Sequence, residues 1–204
     1  MLNELEGIQL GPIFLSFQIL SIALSVVVAY FTFAYCVKRD FPQIKSEILD
    51  KFQTSLVIFL ITYKITPLFF EPSLIFSPSK LLIYSGGPFA FQISALVSLS
   101  YILYHHISNK WSLKIVDHFA VASFAYFIVS NLVLKTYGSA SFYEFGWIHN
   151  DIVFHPLNLY YVILFSLFLC SSIILLKQQK NGVLAILLLL SFFFIEAILA
   201  PFTV

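Results

Sequence analysis

Charged residues are scarce in this sequence. Only 10% of its 204 residues are charged, whereas 60% are hydrophobic, and the mean hydropathy is +0.93. A soluble domain of this size has too little interior to bury so many apolar side chains, so the composition indicates an integral membrane protein. The formal net charge of +1 provides no basic stripe to neutralise phosphates, which argues against nucleic acid as a partner.

The sequence also has few cysteines, and the common catalytic signatures are absent from it. The two cysteines, Cys36 and Cys170, lack the spacing of a metal site or a redox pair, and we interpret both as packing residues. There is no zinc signature, phosphate-cradling glycine loop or serine nucleophile motif. The sequence therefore predicts no metal and no cofactor. Because no basic residue precedes the first apolar run, we expect no cleavable signal peptide.

Long apolar runs dominate the chain instead. A helix that crosses a bilayer needs about 20 apolar residues, and six runs approach that length. No repeat or linker interrupts them, so we predict one all-α transmembrane domain, residues 1–204, forming a single bundle of about six helices. The predicted spans are Ile13 to Val37, Phe52 to Phe70, Pro88 to His105, Ile115 to Leu134, Leu157 to Leu176 and Gly182 to Ala200.

Basic residues predict the orientation of the bundle. They concentrate after the first, third and fifth spans, whereas the opposite loops hold only Lys80, with Lys135 at the edge of the fourth span. By the positive-inside rule, the N-terminus and the 71–87 and 136–156 loops face outward. The aromatic residues of the 136–156 loop are typical of the headgroup layer, so we expect this loop to lie on the outer leaflet. A substrate-gripping role is the alternative.

Four polar residues are predicted to lie near the outer ends of different spans. At 1.5 Å per residue, Lys64 lies about 9 Å and Glu196 about 7 Å below the outer boundary, so the two could meet. Asn131 and His155 fall at the same level. One interpretation is a cavity open toward the outer leaflet. The other is a buried Lys64–Glu196 pair that orients two helices, with Lys64 snorkelling outward and His155 merely capping a helix.

Two further groups of polar residues are interpreted structurally. His105 and His106 fall at the inner end of the third span, where interfacial packing is a better explanation than metal binding. Asp117, with His118 beside it, starts the fourth span, where a carboxylate complements the helix dipole.

The run His155-Pro156-x-x-Leu159-Tyr160 resembles the His-Pro-x-x-Leu-Tyr segment of bacterial prolipoprotein diacylglyceryl transferases. Further segments resemble the family in the same order along nearly the whole chain, and each of them is short. They are Leu10-Gly11-Pro12, Lys64 in place of an arginine, the run from Leu81 to Gly86-Gly87, Asp117, Tyr137-Gly138 and Phe194-Ile195-Glu196.

The resemblance implies a reaction and a location. Members of that family transfer the diacylglyceryl group of phosphatidylglycerol to the cysteine thiol of a lipoprotein signal peptide, at the outer face of the cytoplasmic membrane. It therefore implies a multi-pass protein of the bacterial cell membrane that binds phospholipid, with a lipoprotein signal peptide or another membrane protein as partner. It assigns His155 as a candidate catalytic base. The candidate lipid-binding residues are Lys64, Gly86, Gly87, Asn131, Tyr160 and Glu196.

Several positions depart from the family pattern. A histidine expected about four residues after Gly87 is Phe91, and the acidic residue of the family signature is Lys135. Arginine expected before Gly138 is replaced by Phe127 or Ile128, and two arginines around Glu196 correspond to Phe192 and Leu199. Phenylalanine cannot supply the fixed bidentate charge that arginine offers a phosphate.

Two functions follow from the resemblance and its departures. The first is a diverged transferase-like protein in which the family reaction is weakened, altered or lost. The second is a non-catalytic scaffold that binds a lipid or a partner protein. A small transporter is disfavoured, because duplicated halves with broken helices are not visible.

Overall fold

A computed structural model describes residues 2, 6–10, 13–76, 87, 89–141, 145–149, 151–175 and 181–203. Their chain contacts divide the protein into two compact units, one made of Met1–Arg39 with Leu113–Val204 and the other of Asp40–Ser112. We call them the main unit and the second unit. This division does not decide whether the chain is one transmembrane domain, which stays a prediction.

Helices make up most of the described residues, and two small antiparallel sheets accompany them. The α-helices are α1 (Phe17–Asp40), α2 (Lys45–Ile65), the short α3 (Pro67–Phe70), α4 (Ala90–Ser108), α5 (Lys114–Val133), α6 (Leu157–Leu175) and α7 (Val183–Leu199). The strands are β1 (Gly7–Leu10), β2 (Ile13–Ser16), β3 (Tyr137–Ala140), β4 (Trp147–His149) and β5 (Ile152–Pro156). Short 3₁₀ helices cover Pro72–Phe76 and Ala200–Phe202.

Five helical segments among the described residues are long and apolar enough to cross a membrane. The length and hydropathy of these helices confirm the predicted class, a helical membrane protein. The sixth predicted span forms helix α4, but Gln92, His105, His106 and several serines lower its hydropathy, so the count of six and the outward N-terminus stay predictions. The five segments are Phe17–Asp40, Lys45–Phe70, Lys114–Val133, Leu157–Ile174 and Val183–Phe202.

Two predicted spans begin at other residues than expected. The apolar run from Ile13 does not start as helix, because Ile13–Ser16 pairs with Gly7–Leu10 as an antiparallel hairpin. Helix α2 begins at Lys45 rather than Phe52. Its first turns are polar but contain good helix formers such as Glu47 and Lys51, so helix propensity extends beyond the apolar run.

The second unit is organised around the packing of α2 against α4. One of its polar contacts joins two serines, Ser55 and Ser98, whose Oγ atoms lie 2.6 Å apart. Each hydroxyl also lies within hydrogen-bond distance of the other residue's carbonyl oxygen, at 3.3 and 3.1 Å. Small residues let helix backbones approach closely, which is how membrane helices commonly associate.

The main unit has its core where α5, α6 and α7 pack together. The buried cluster contains Phe124, Leu157, Phe165, Leu188, Ile195 and Leu199. On α7 the buried positions Leu188, Ser191, Ile195 and Leu199 recur every three or four residues, the spacing of one helix face. Helix α1 joins this unit through Ser21, whose hydroxyl donates to the backbone oxygen of Ser130 at 3.4 Å.

A three-stranded antiparallel sheet, in the order β3-β5-β4, occupies much of the segment predicted as a surface loop. Strands β4 and β5 form a hairpin whose turn contains Asp151 at φ 63°, a left-handed conformation that aspartate tolerates. Gly138 lies at an irregularity in the β3–β5 pairing. A Cβ there would come within 2.6 Å of the Phe202 carbonyl oxygen. This glycine is required because the backbones approach so closely.

Candidate functional site

The run that carries the family resemblance forms the junction between β5 and α6. His155 and Pro156 end the strand, and the helix begins at Leu157, so Tyr160 is one turn inside it. His155 Nδ1 lies 3.2 Å from the Tyr160 hydroxyl oxygen, within hydrogen-bond distance. The Phe202 ring contacts both, with centroid separations of 5.0 Å to His155 and 5.9 Å to Tyr160. The five-residue spacing of the motif thus brings two polar side chains together.

An open apolar groove begins at Tyr160. It has a volume of about 310 Å³. Side chains of α6 form one wall, and the end of α7 with the following 3₁₀ turn forms the other. The lining residues are Tyr160, Ile163, Leu164, Leu199 and Phe202. Its lining is apolar, and the polar pair of His155 and Tyr160 lies at one end.

Asn158 connects the sheet to the helices, a role that was not predicted from the sequence. Its side chain is fully buried. The Oδ1 atom accepts from the indole Nε1 of Trp147 at 2.8 Å, and the Nδ2 atom donates to the carbonyl oxygen of Asn131 at 3.2 Å. Lys135 Nζ lies 4.8 Å from the centroid of the Trp147 ring, a cation–π distance. The feature of the sequence that could have indicated this role is a polar amide in the first turn of an otherwise apolar span.

Asn131 is close to this junction, but its own amide is used within α5. Its Nδ2 donates to the carbonyl oxygen of Phe127, one turn earlier, at 2.8 Å. The lipid-binding role of this side chain stays a prediction. Its backbone oxygen instead anchors Asn158.

Glu196 lies on an exposed part of α7 and is bonded across to α6. The hydroxyl of Tyr161 donates to its Oε2 atom at 3.0 Å. The Tyr161 ring stacks on Phe165 at a centroid separation of 5.8 Å, and Phe165 stacks on Phe127 at 5.2 Å. Phe192 completes this aromatic group, 5.3 Å from Phe127.

Two members of this aromatic group stand at positions where the family resemblance places arginines. Phe127 and Phe192, which stand at two of those positions, pack against the buried core of the main unit, as does Ile128. Leu199, at a third, is 3% exposed and lines the groove. The side chains at these positions therefore form apolar packing and offer no charge to a phosphate.

The remaining predicted site residues belong to the second unit or lie outside the described residues. Lys64 is half-buried in the last turn of α2, and Gly87 precedes α4 with φ 82°. Gly86 lies outside the described residues, as does Lys80. The predicted meeting of Lys64 with Glu196, and the outward cavity between four helices, stay predictions.

Asp117 was predicted to complement the dipole of its own helix, and the structure shows that it also contacts a second helix. Its carboxylate is buried, and it accepts from the backbone N–H groups of Gly182 and Ala185, both at 2.8 Å. Because these groups begin α7, Asp117 on α5 caps the start of a different helix. Its role is to join two helices of the main unit.

Comparison with known proteins found no family model that matches the chain and no curated protein with significant similarity to it.

Proposed function

We propose that this chain is a phospholipid-binding protein of the bacterial cytoplasmic membrane, similar to the prolipoprotein diacylglyceryl transferases, in which the family's standard transfer is weakened or lost. The observation that carries the proposal is the His155–Tyr160 pair at the end of the apolar groove. The groove would hold one acyl chain, and the polar pair would contact the ester or headgroup region of the same lipid.

The loss of standard transfer is argued from charge. The family reaction needs an anionic headgroup held, a thiol deprotonated and a leaving phosphate stabilised. Oriented charge is usually the largest single term in such catalysis. Phe127, Phe192 and Leu199 contribute packing instead, so these three positions offer no charge with which to hold a phosphate.

A weakly active enzyme is the second candidate, and the contact between His155 and Tyr160 favours it. A histidine can act as a general base. The contact between its Nδ1 atom and the Tyr160 hydroxyl would hold the ring in place for that role.

One assay separates the two candidates. The purified full chain is incubated with phosphatidylglycerol and a lipoprotein signal peptide, and thioether formation is scored alongside saturable binding of a fluorescent phospholipid. We expect binding without product. Product that disappears in His155→Ala, while the control His106→Ala retains it, would establish the weak enzyme. Absence of both binding and product would refute the proposal.

A further inference from the structure

Glu196 stands out because it places a carboxylate on an exposed face of a membrane-spanning helix. It lies in the last turn of α7, about 4.5 Å from the end of that helix at 1.5 Å per residue. Ionisable groups within membrane segments are costly, and they usually mark a site for an ion, a proton or a substrate. The carboxylate therefore needs a positively charged or proton-donating neighbour.

The surroundings of this carboxylate within the main unit are aromatic. Tyr161 donates to it, and the Tyr161 ring is the outer member of the stack that continues through Phe165 to Phe127. Phe192 lies one turn before Glu196 on the same side of α7. Aromatic faces attract cations through their quadrupole, and aromatic surfaces with an acidic group commonly recognise ammonium ligands.

We propose that Glu196 and Tyr161 form a binding site for the ammonium group of a phospholipid headgroup, as in phosphatidylethanolamine or phosphatidylcholine. The inference rests on the proposed lipid-binding function and names the lipid class. Phenylalanine at positions 127 and 192 offers no attraction for the net negative charge of an anionic headgroup, and the carboxylate adds attraction for the ammonium group of a zwitterionic one. The local charge preference is thus opposite to the one the family resemblance implies.

The groove and the carboxylate are close enough to serve one lipid. Leu199, which lines the groove, lies three residues after Glu196 on α7, and Tyr160, which also lines it, is adjacent to Tyr161. The two features are therefore about one helical turn apart. A phospholipid can place an acyl chain in the groove and its ammonium group against Glu196.

The test compares headgroups on matched acyl chains. The full chain in detergent is titrated with a fluorescent phosphatidylcholine, which is then displaced by unlabelled phosphatidylethanolamine, phosphatidylcholine or phosphatidylglycerol. We expect both ammonium lipids to displace the probe at lower concentrations than phosphatidylglycerol. Glu196→Gln should remove that preference. Phosphatidylethanolamine should weaken about tenfold, as expected for one charge-assisted hydrogen bond, and phosphatidylcholine should lose only the ionic attraction, because its quaternary ammonium has no N–H. The matched control Asp151→Asn, which removes an exposed carboxylate of the same unit, should retain it.

Three outcomes would overturn the inference. Saturable binding in which phosphatidylglycerol competes as well as the ammonium lipids would refute the headgroup assignment and leave the proposed function standing. A preference retained by Glu196→Gln would place the ammonium site elsewhere. No saturable binding of any of the three lipids would refute both. The headgroup comparison on the unaltered chain needs no variant, so a poorly folding Glu196→Gln protein would not prevent the test.

Discussion

The indole N–H of Trp147 donates to the side-chain oxygen of Asn158 across 2.8 Å, and this bond attaches strand β4 to the start of helix α6. His155 lies between the two residues in sequence, on the central strand of the same sheet. The sheet and the helix therefore hold His155 from both sides. A buried amide whose oxygen and nitrogen are both hydrogen-bonded makes the junction rigid.

Replacing Asn158 with leucine is expected to destabilise the protein by about 2 kcal/mol. The substitution leaves the Trp147 N–H and the Asn131 carbonyl oxygen without the amide that satisfied them, and a buried unsatisfied polar group costs about 1–3 kcal/mol. Unfolding by SDS titration in mixed micelles measures the change. Asn131→Leu is the control, because its amide bonds only a carbonyl of its own helix among the contacts described above. Equal effects of the two variants would contradict the central position of Asn158.

Asp117→Ala is expected to loosen the start of α7. Two charge-assisted hydrogen bonds to backbone N–H groups are lost, which should cost about 2 kcal/mol, and Asp117→Asn should have an intermediate effect because it keeps one acceptor oxygen. Hydrogen exchange should become faster over residues 182–186. Asp50→Ala, at an exposed carboxylate of α2, is the control. Unchanged exchange in Asp117→Ala would show that the cap is dispensable.

The two serines that join α2 and α4 are expected to act as a pair. Each of Ser55→Ala and Ser98→Ala should lower stability by about 0.6 kcal/mol, the average for polar contacts between membrane helices. The double variant should lose less than the sum, because either substitution alone breaks the shared contact. SDS titration of the four proteins completes the cycle, and Ser123→Ala is the control. Strict additivity would mean that the two hydroxyls do not interact.

Filling the groove should weaken lipid binding without unfolding the chain. Ile163 is 60% exposed and lines the groove, so tryptophan can be accommodated there while occupying its space. Affinity for a fluorescent phospholipid should fall about tenfold, which corresponds to roughly two buried methylene groups at ~0.8 kcal/mol each. Ile186→Trp, at a 62% exposed position near the start of α7, should bind normally. An unchanged affinity in Ile163→Trp would exclude the groove as the acyl-chain site.

Helices α5, α6 and α7 of the main unit were predictable because their boundaries are local. Apolar runs predicted Ile115 to Leu134 and Leu157 to Leu176, and the structure has Lys114–Val133 and Leu157–Leu175. Pro156 and Gly182 mark two helix starts directly in the sequence. Helix α2 was placed too late because hydropathy alone ignores the helix propensity of charged residues.

The strands were not predictable by the same reasoning. Residues 137–156 are rich in aromatics, which also occur in membrane-surface loops, and their pairing depends on contacts between β3 and β5 that are distant in sequence. Of the predicted site, the spacing of His155 and Tyr160 could be read from the motif. Asn158 was missed because one buried amide resembles any polar residue at a helix start.

Hydropathy and helix boundaries are properties of neighbouring residues, so the amino-acid order was enough to predict a helical membrane protein with few ionisable groups in its spans. Which of those groups meet became visible from the packing of the helices and strands. The bonds from Asp117 to the start of α7, from Trp147 to Asn158 and from Tyr161 to Glu196 each join separate elements of the main unit. Such contacts depend on how helices rotate and pack against one another, and that is fixed by the whole set of side chains in the core.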